Sequence, residues 1–278
     1  MPDRRENNRR ENNKVKLLHM RPIRLFMLCC AIALLAGCHG KSSTEHTGQA
    51  AINTPAPVFF KVDLSTAGVV SGTIHLKGPR PTPKVIDMSN EPACVEAHHG
   101  RAYDESLVVN KKGELANAFV YIKSGLEGKT FEIPATPVTI DQSGCWFRPR
   151  VMGIQTGQIF KVVNSDPVTH NIHPMAEINR EWNHSQGAGD PAIERKFTKT
   201  EVMIPVKCNI HSWMHAFIGV LDHPYFAVSG DDGSFEIRNL PPGTYTLAVW
   251  QEKLGTQEQQ VTVGPLGKTE ANFVFKEK

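Results

Sequence analysis

Apolar and polar residues alternate along most of this 278-residue chain in short runs punctuated by glycine and proline. Residues 68–78, Gly-Val-Val-Ser-Gly-Thr-Ile-His-Leu-Lys-Gly, show a period of two between glycines and predict a first strand. Residues 115–123 predict a second, with Phe119, Tyr121 and Lys123 on one face and Ala118, Val120 and Ile122 on the other. Between them Pro79, Pro81, Pro83 and Pro92 interrupt any period, so 79–106 reads as a long connection. Residues 159–163 and the apolar runs on either side of 208–214 add further strands. Near the C-terminus, Asp232-Gly233 predicts a hairpin turn and Pro241-Pro242-Gly243 a second turn between β-rich runs. No stretch carries the apolar period of a long amphipathic helix, so the expected fold class is all-β.

The character of the chain changes near residue 38. Arg21-Pro22-Ile23-Arg24, the apolar run 25–35 and Ala36-Gly37-Cys38 are the charged, hydrophobic and small-residue parts of a secretory signal. The apolar run falls short of the about 20 residues that cross a bilayer. Residues 1–37 are therefore expected to be removed, with Met20 as an alternative start, since the repeat Arg-Arg-Glu-Asn-Asn at 4–8 and 9–13 has no apolar face. Leu35-Ala36-Gly37-Cys38 resembles the lipobox of bacterial lipoproteins. That resemblance implies lipid on Cys38 and attachment to a bacterial membrane on its periplasmic side. Residues 38–66 are small, polar or Pro-containing and read as a flexible tether. Without 1–37 the chain keeps 23 Lys and Arg against 25 Asp and Glu, a charge near −2 rather than +3, which leaves no basis for nucleic-acid binding.

The candidate chemistry lies in 206–220. Cys208, His211 and Met214 follow one another with two residues in each gap, a loop of metal ligands between apolar runs. Thiol, imidazole and a weakly donating thioether suit copper once a second histidine arrives. Cysteine and histidine also bind zinc, but structural zinc takes four strong ligands and methionine is not one of them. Upstream, the 159–163 strand runs through Asn164-Ser165-Asp166-Pro167 to His170 and His173. In a strand these two histidines point to opposite faces, so one ligates: His170 is the choice and His173 the runner-up.

In these residues the chain resembles the cupredoxins, the blue copper proteins. Cys208-x2-His211-x2-Met214 has the short spacing of amicyanin-like members, and His170-Asn171 after its turn resembles the plastocyanin-type entry to the first ligand. The resemblance implies one type 1 copper on His170, Cys208 and His211, with Met214 axial and the edge of His211 exposed. Asn171 and Asn209 are candidates for fixing the loop, and Trp146, Phe147, Trp213 and Phe217 for an apolar surround. The loop holds no second cysteine, as a binuclear purple centre would need.

Of six cysteines, Cys29 and Cys30 leave with the signal and Cys38 takes lipid. With Cys208 on copper, Cys94 and Cys145 remain as an even pair in an oxidising compartment, where a disulfide is expected. A second metal site using Cys94 with His98 and His99, or two separate thiols, are the alternatives. No Cys-x-x-Cys-His occurs for covalent haem.

The Asp232-Gly233-Ser234-Phe235 turn, with residues 68–76 and 117–122 before it, is similar to the carboxypeptidase regulatory-like, transthyretin-like sandwich. The family has a short connection where this chain has a long stretch containing the copper motifs. The expected architecture is a cupredoxin-like Greek-key sandwich, 127–221, inserted in a transthyretin-like β-sandwich made of 67–126 and 222–278. A single merged sandwich is the alternative. The functional expectation is a membrane-anchored electron-transfer protein, not an enzyme, exchanging electrons with a cytochrome or oxidoreductase. No Gly-x-Ser-x-Gly elbow is present, and although Asp222-His223-Pro224 and His184 offer acid–base groups, isolated histidines are more often surface or structural residues. A non-redox binding module, either a copper carrier or a carbohydrate- or protein-binding sandwich, is the alternative.

Overall fold

The computed structural model describes residues 57–276; the expected signal, the Cys38 lipid site and most of the 38–66 tether lie outside them. Among the described residues the named elements are strands, apart from one short helix, Pro92–His98. The fold is all-β.

Strands from the two ends of the described chain form one pair of sheets. Gly68–Lys77 pairs with Ser234–Leu240, Lys268–Glu270 and Phe273–Lys276, while Phe119–Ser124 lies between Phe226–Val228 and Gly243–Gln251, which pairs in turn with Gly255–Val263. The alternation explains the packing: Val70, Ile74 and Leu76 of the first strand enter one core with Val120, Ile122, Phe235, Ile237, Leu247 and Val249. Strands between 138 and 221 form a second pair of sheets. One runs His184–Gln186, His170–Pro174, Glu201–Lys207, His215–Leu221, Val151–Gln155; the other runs Ile193–Arg195, Phe160–Asn164, Val138–Ser143, Trp146–Arg148. Their core is separate and includes Ile140, Phe147, Ile154, Phe160, Ile172, Ile204 and Ile218.

The two pairs of sheets meet face to face rather than sharing strands. Phe119 and Tyr121, on the outer face of Phe119–Ser124, pack with Val151, Met203, Leu221 and Ala248. This strand is therefore buried on both faces, which its doubly apolar pattern already allowed. Room for Phe119, and for Phe226 beside it, comes from Gly219 and Gly153, register partners in the parallel pair Val151–Gln155 and His215–Leu221. A Cβ on Gly219 would stand 2.4 Å from Phe119, and one on Gly153 2.3 Å from Phe226. Close by, Arg150 reaches Glu252 through Nε at 2.9 Å and Nη2 at 2.7 Å, with both side chains largely buried.

Three local expectations are revised. The Asp232-Gly233 turn forms, with Gly233 at φ +68° and its N–H donating to the Gly230 carbonyl. It passes the chain between sheets instead of closing a hairpin, because Phe226–Val228 and Ser234–Leu240 pair with different strands. The hairpin of this region is Gly243–Gln251 with Gly255–Val263. The folded body also begins before residue 66: the Phe60 N–H donates to the Thr130 carbonyl, and its ring packs edge-on against Phe131. Finally, the 79–106 connection is structured. A two-residue ladder, Val85–Ile86 with Ala102–Tyr103, brackets the helix Pro92–His98, which starts with proline where its missing N–H costs nothing.

Candidate metal centre

Strand pairing brings the candidate ligands together. Glu201–Lys207 and His215–Leu221 are antiparallel with Lys207 opposite His215, so 208–214 closes their shared end. The Cys208 N–H donates to the Met214 carbonyl at 3.1 Å, and the Met214 N–H to the His211 carbonyl at 3.0 Å, which ties the loop to itself. His170–Pro174 pairs with Glu201–Lys207 through His173 and Lys207, and this sets His170 beside Cys208. His170 is fully buried. His173 faces the other way, its Nε2 2.6 Å from the Glu181 carboxylate.

At the centre, Nδ1 of His170 and Nδ1 of His211 are 3.0 Å apart, and Sγ of Cys208 lies 3.9 Å from Nδ1 of His211. Ligand atoms of the three lie within 4.8 Å of one another, and all three residues are buried. The backbone N–H groups of Asn171 and His211 each point at Sγ from 3.4 Å. Met214 is completely buried. Burial pushes the Cys208 thiol up, but His170 and these N–H groups outweigh it and hold its pKa below the ordinary value. Burial likewise opposes a proton on His170, yet hydrogen bonds to Asp166 and Cys208 hold its pKa above the usual range. Burial, then the charge of His170, push His211 below that range. A metal binds the deprotonated forms, which the shifts favour at Cys208 and His211, whereas at His170 the metal has to displace the proton that Asp166 and Cys208 favour.

Asp166 escaped sequence reading. Its carboxylate accepts from Nε2 of His170 at 2.8 Å and from the N–H groups of Gly144 and Cys145 at 2.7 Å each, so it fixes the ring whose Nδ1 faces the centre. Metal-bound histidines commonly lean on such a carboxylate, and Asp166 is the nearest carboxylate to His170 in the chain, which is the signal that was available. Asp166→Asn should lower copper affinity about 10–100-fold in competition with a chromophoric copper chelator; unchanged affinity would show that Asp166 does not orient His170.

The surroundings differ in part from expectation. The Asn171 side chain accepts from the Asn209 N–H at 3.0 Å and donates to Asn183, so it does hold the loop; Asn209 contributes its backbone rather than its amide. Trp146 and Phe147 are buried in the adjoining core and Trp213 packs against it. Phe217 does not surround the centre, because it sits on the opposite face of its strand, against Trp250 at 4.8 Å. Cys94 and Cys145 are joined by a disulfide with Sγ atoms 2.03 Å apart. That bond, and the hydrogen bond from Trp146 Nε1 to His98 at 3.0 Å, occupy two of the three residues of the alternative second metal site. The edge of His211 is not exposed. Only 2 % of the residue is accessible, and its Nε2 faces Cys94 Sγ at 3.7 Å and Glu91 at 3.8 Å.

One thiol and two imidazole nitrogens converging in a buried pocket fit copper better than structural zinc, which would need a fourth strong donor. Solved structures to which the chain is similar include a copper-containing nitrite reductase from Thermus scotoductus SA-01, at 22% identity and TM-score 0.30 over 36% of this chain; the chain spans a quarter, 25%, of that enzyme. An oxidised mutant of amicyanin matches at 16% identity and TM-score 0.28, over 36% of this chain and 97% of its own. A purple cupredoxin from Nitrosopumilus maritimus matches at 20% identity and TM-score 0.26, over 30% and 98%. Among curated proteins no match is found. At the C-terminal end, where the strands from His215–Leu221 to Phe273–Lys276 lie, residues 217–276 match the model of the carboxypeptidase regulatory-like domain.

Proposed function

We propose that this protein is an exported mononuclear copper protein that carries single electrons, held at a bacterial membrane by lipid on Cys38. The observation that carries the reading is the buried convergence of His170 Nδ1, at the start of its strand, with Cys208 Sγ and His211 Nδ1 of the 208–214 loop. Bound there, copper would supply one-electron exchange between its cuprous and cupric states. The chain's own part is rigidity: the loop is tied at both ends, His170 is braced by Asp166, and the Cys208 sulfur receives two N–H groups. Such a site changes little between oxidation states, which suits a carrier rather than an enzyme, and a protein redox partner would take the electron. Met214 is the candidate weak axial donor.

Adding copper to the metal-free protein should give a coloured product that bleaches with ascorbate and recovers in air. A copper complex that never cycles would favour the copper-carrier reading instead. For the anchor, Cys38→Ser should move the protein from the membrane fraction to the soluble fraction; retention of the variant on membranes would place the anchor elsewhere.

A further inference from the structure

The covered edge of His211 has a specific cause. Residues 84–104 lie over the centre as a strap: Met88, Cys94 and Ala102 enter the core of the second pair of sheets, and Cys94 is bonded to Cys145 beside it. Glu105 continues the attachment with a two-pronged contact to Arg148. Both sulfurs of the disulfide are buried, so the strap is fastened rather than poised to open. It presents Cys94 Sγ and Glu91 to the one imidazole nitrogen of His211 that turns away from Cys208. The Trp213 ring lies 5.3 Å from that of His211, centre to centre and tilted by 36°. Trp213 is only partly buried, its indole N–H is fixed on the Cys145 carbonyl at 3.2 Å, and its neighbours Ile210 and Ser212 are exposed.

We infer that the strap closes the imidazole edge of the centre and that electrons cross between His211 and the surface through the ring of Trp213. The inference rests on the copper reading for its electron-transfer half, but the closed edge stands on this chain alone. A partner that exchanges electrons here would dock on the 209–213 face, over Trp213 and the half-exposed Ile210, and not over His211.

The test has one arm without metal and one with it. In the metal-free full-length protein, diethyl pyrocarbonate should modify His211 far more slowly than the exposed His184, read by peptide mass spectrometry. Cys94→Ala combined with Cys145→Ala should bring His211 toward the His184 rate; Glu91→Ala, which leaves the disulfide in place, should give a smaller rise in the same direction. His211 reacting as fast as His184 in the unmodified protein would overturn the closed edge whatever metal binds. In the copper-loaded protein, one electron passes from hexaammineruthenium(II) to the cupric site, leaving the ruthenium(III) ion and a cuprous site. Trp213→Leu should slow that step by about an order of magnitude with the visible band retained, whereas Trp213→Phe, which keeps a ring, should recover most of the rate. An unchanged rate in Trp213→Leu would overturn the route. Failure to obtain any coloured copper form would instead count against the copper reading and leave the footprinting result to decide the strap.

Discussion

Cys208→Ser should abolish the intense visible absorption of the copper-loaded protein. Thiolate-to-Cu(II) charge transfer is the source of such a band, and Cys208 is the free cysteine of the described residues, buried with its sulfur in the centre. A serine oxygen is a hard donor that stays protonated near neutral pH, so copper held by the two histidines alone would be pale and bound more weakly. The substitution is nearly isosteric, and the N–H groups of Asn171 and His211 retain an oxygen to donate to. The expected result is therefore a folded variant without the band, checked by absorption beside a thermal melt. Met214→Leu should act differently: colour persists and the reduction potential rises, because loss of a weak sulfur donor disfavours Cu(II) more than Cu(I). A band of full intensity in Cys208→Ser would remove the sulfur from the site.

Phe119→Ala should cost about 3–5 kcal/mol of stability, the range for deleting a fully buried aromatic ring. Phe119 has no accessible surface and stacks on both Tyr121 at 5.6 Å and Phe226 at 5.8 Å. Its ring tip occupies the space that Gly219 leaves open, so it is one contact through which the first pair of sheets supports the strand running from the metal loop. Gly219→Val tests the same contact from the other side. The added carbons meet an aromatic ring pinned between two others, and overpacking of this kind costs about 1–3 kcal/mol. Denaturant unfolding of both variants measures the two effects. A loss below about 1 kcal/mol in Phe119→Ala would mean that the two pairs of sheets support each other little.

The sequence made some parts of this molecule readable and concealed others for physical reasons. Alternation exposed the strands around Ile74, Val120 and Leu247, because each must turn one face to a core, and ligand spacing singled out 208–214, because one short loop carries three residues of metal-donor type. Opposite facing of His170 and His173 followed from strand geometry alone. What covers the far side of an element was not readable: Phe119 and Tyr121 announced a second apolar face, but not that the space at Gly219 would receive the Phe119 ring. The helix Pro92–His98 is too short to show a period, and its place over His211 is set by the bond to Cys145, 51 residues away in sequence. That one cross-link turns an expected open edge into a closed one. Asp166 was hidden for the opposite reason, since it lies in a turn where aspartate is common and its approach to His170 depends on how that turn folds.

We propose that a single copper, bound through thiolate and imidazole, changes oxidation state reversibly in this protein. The most direct test is a copper titration of the metal-free protein, followed by visible spectra and metal content through one cycle of reduction with ascorbate and reoxidation. The expected result is saturation at one copper per chain, an intense band in the oxidised form, complete bleaching on reduction and full return on oxidation. A protein that retains only zinc, or a colourless Cu(II) complex that Cys208→Ser leaves unaltered, would contradict it.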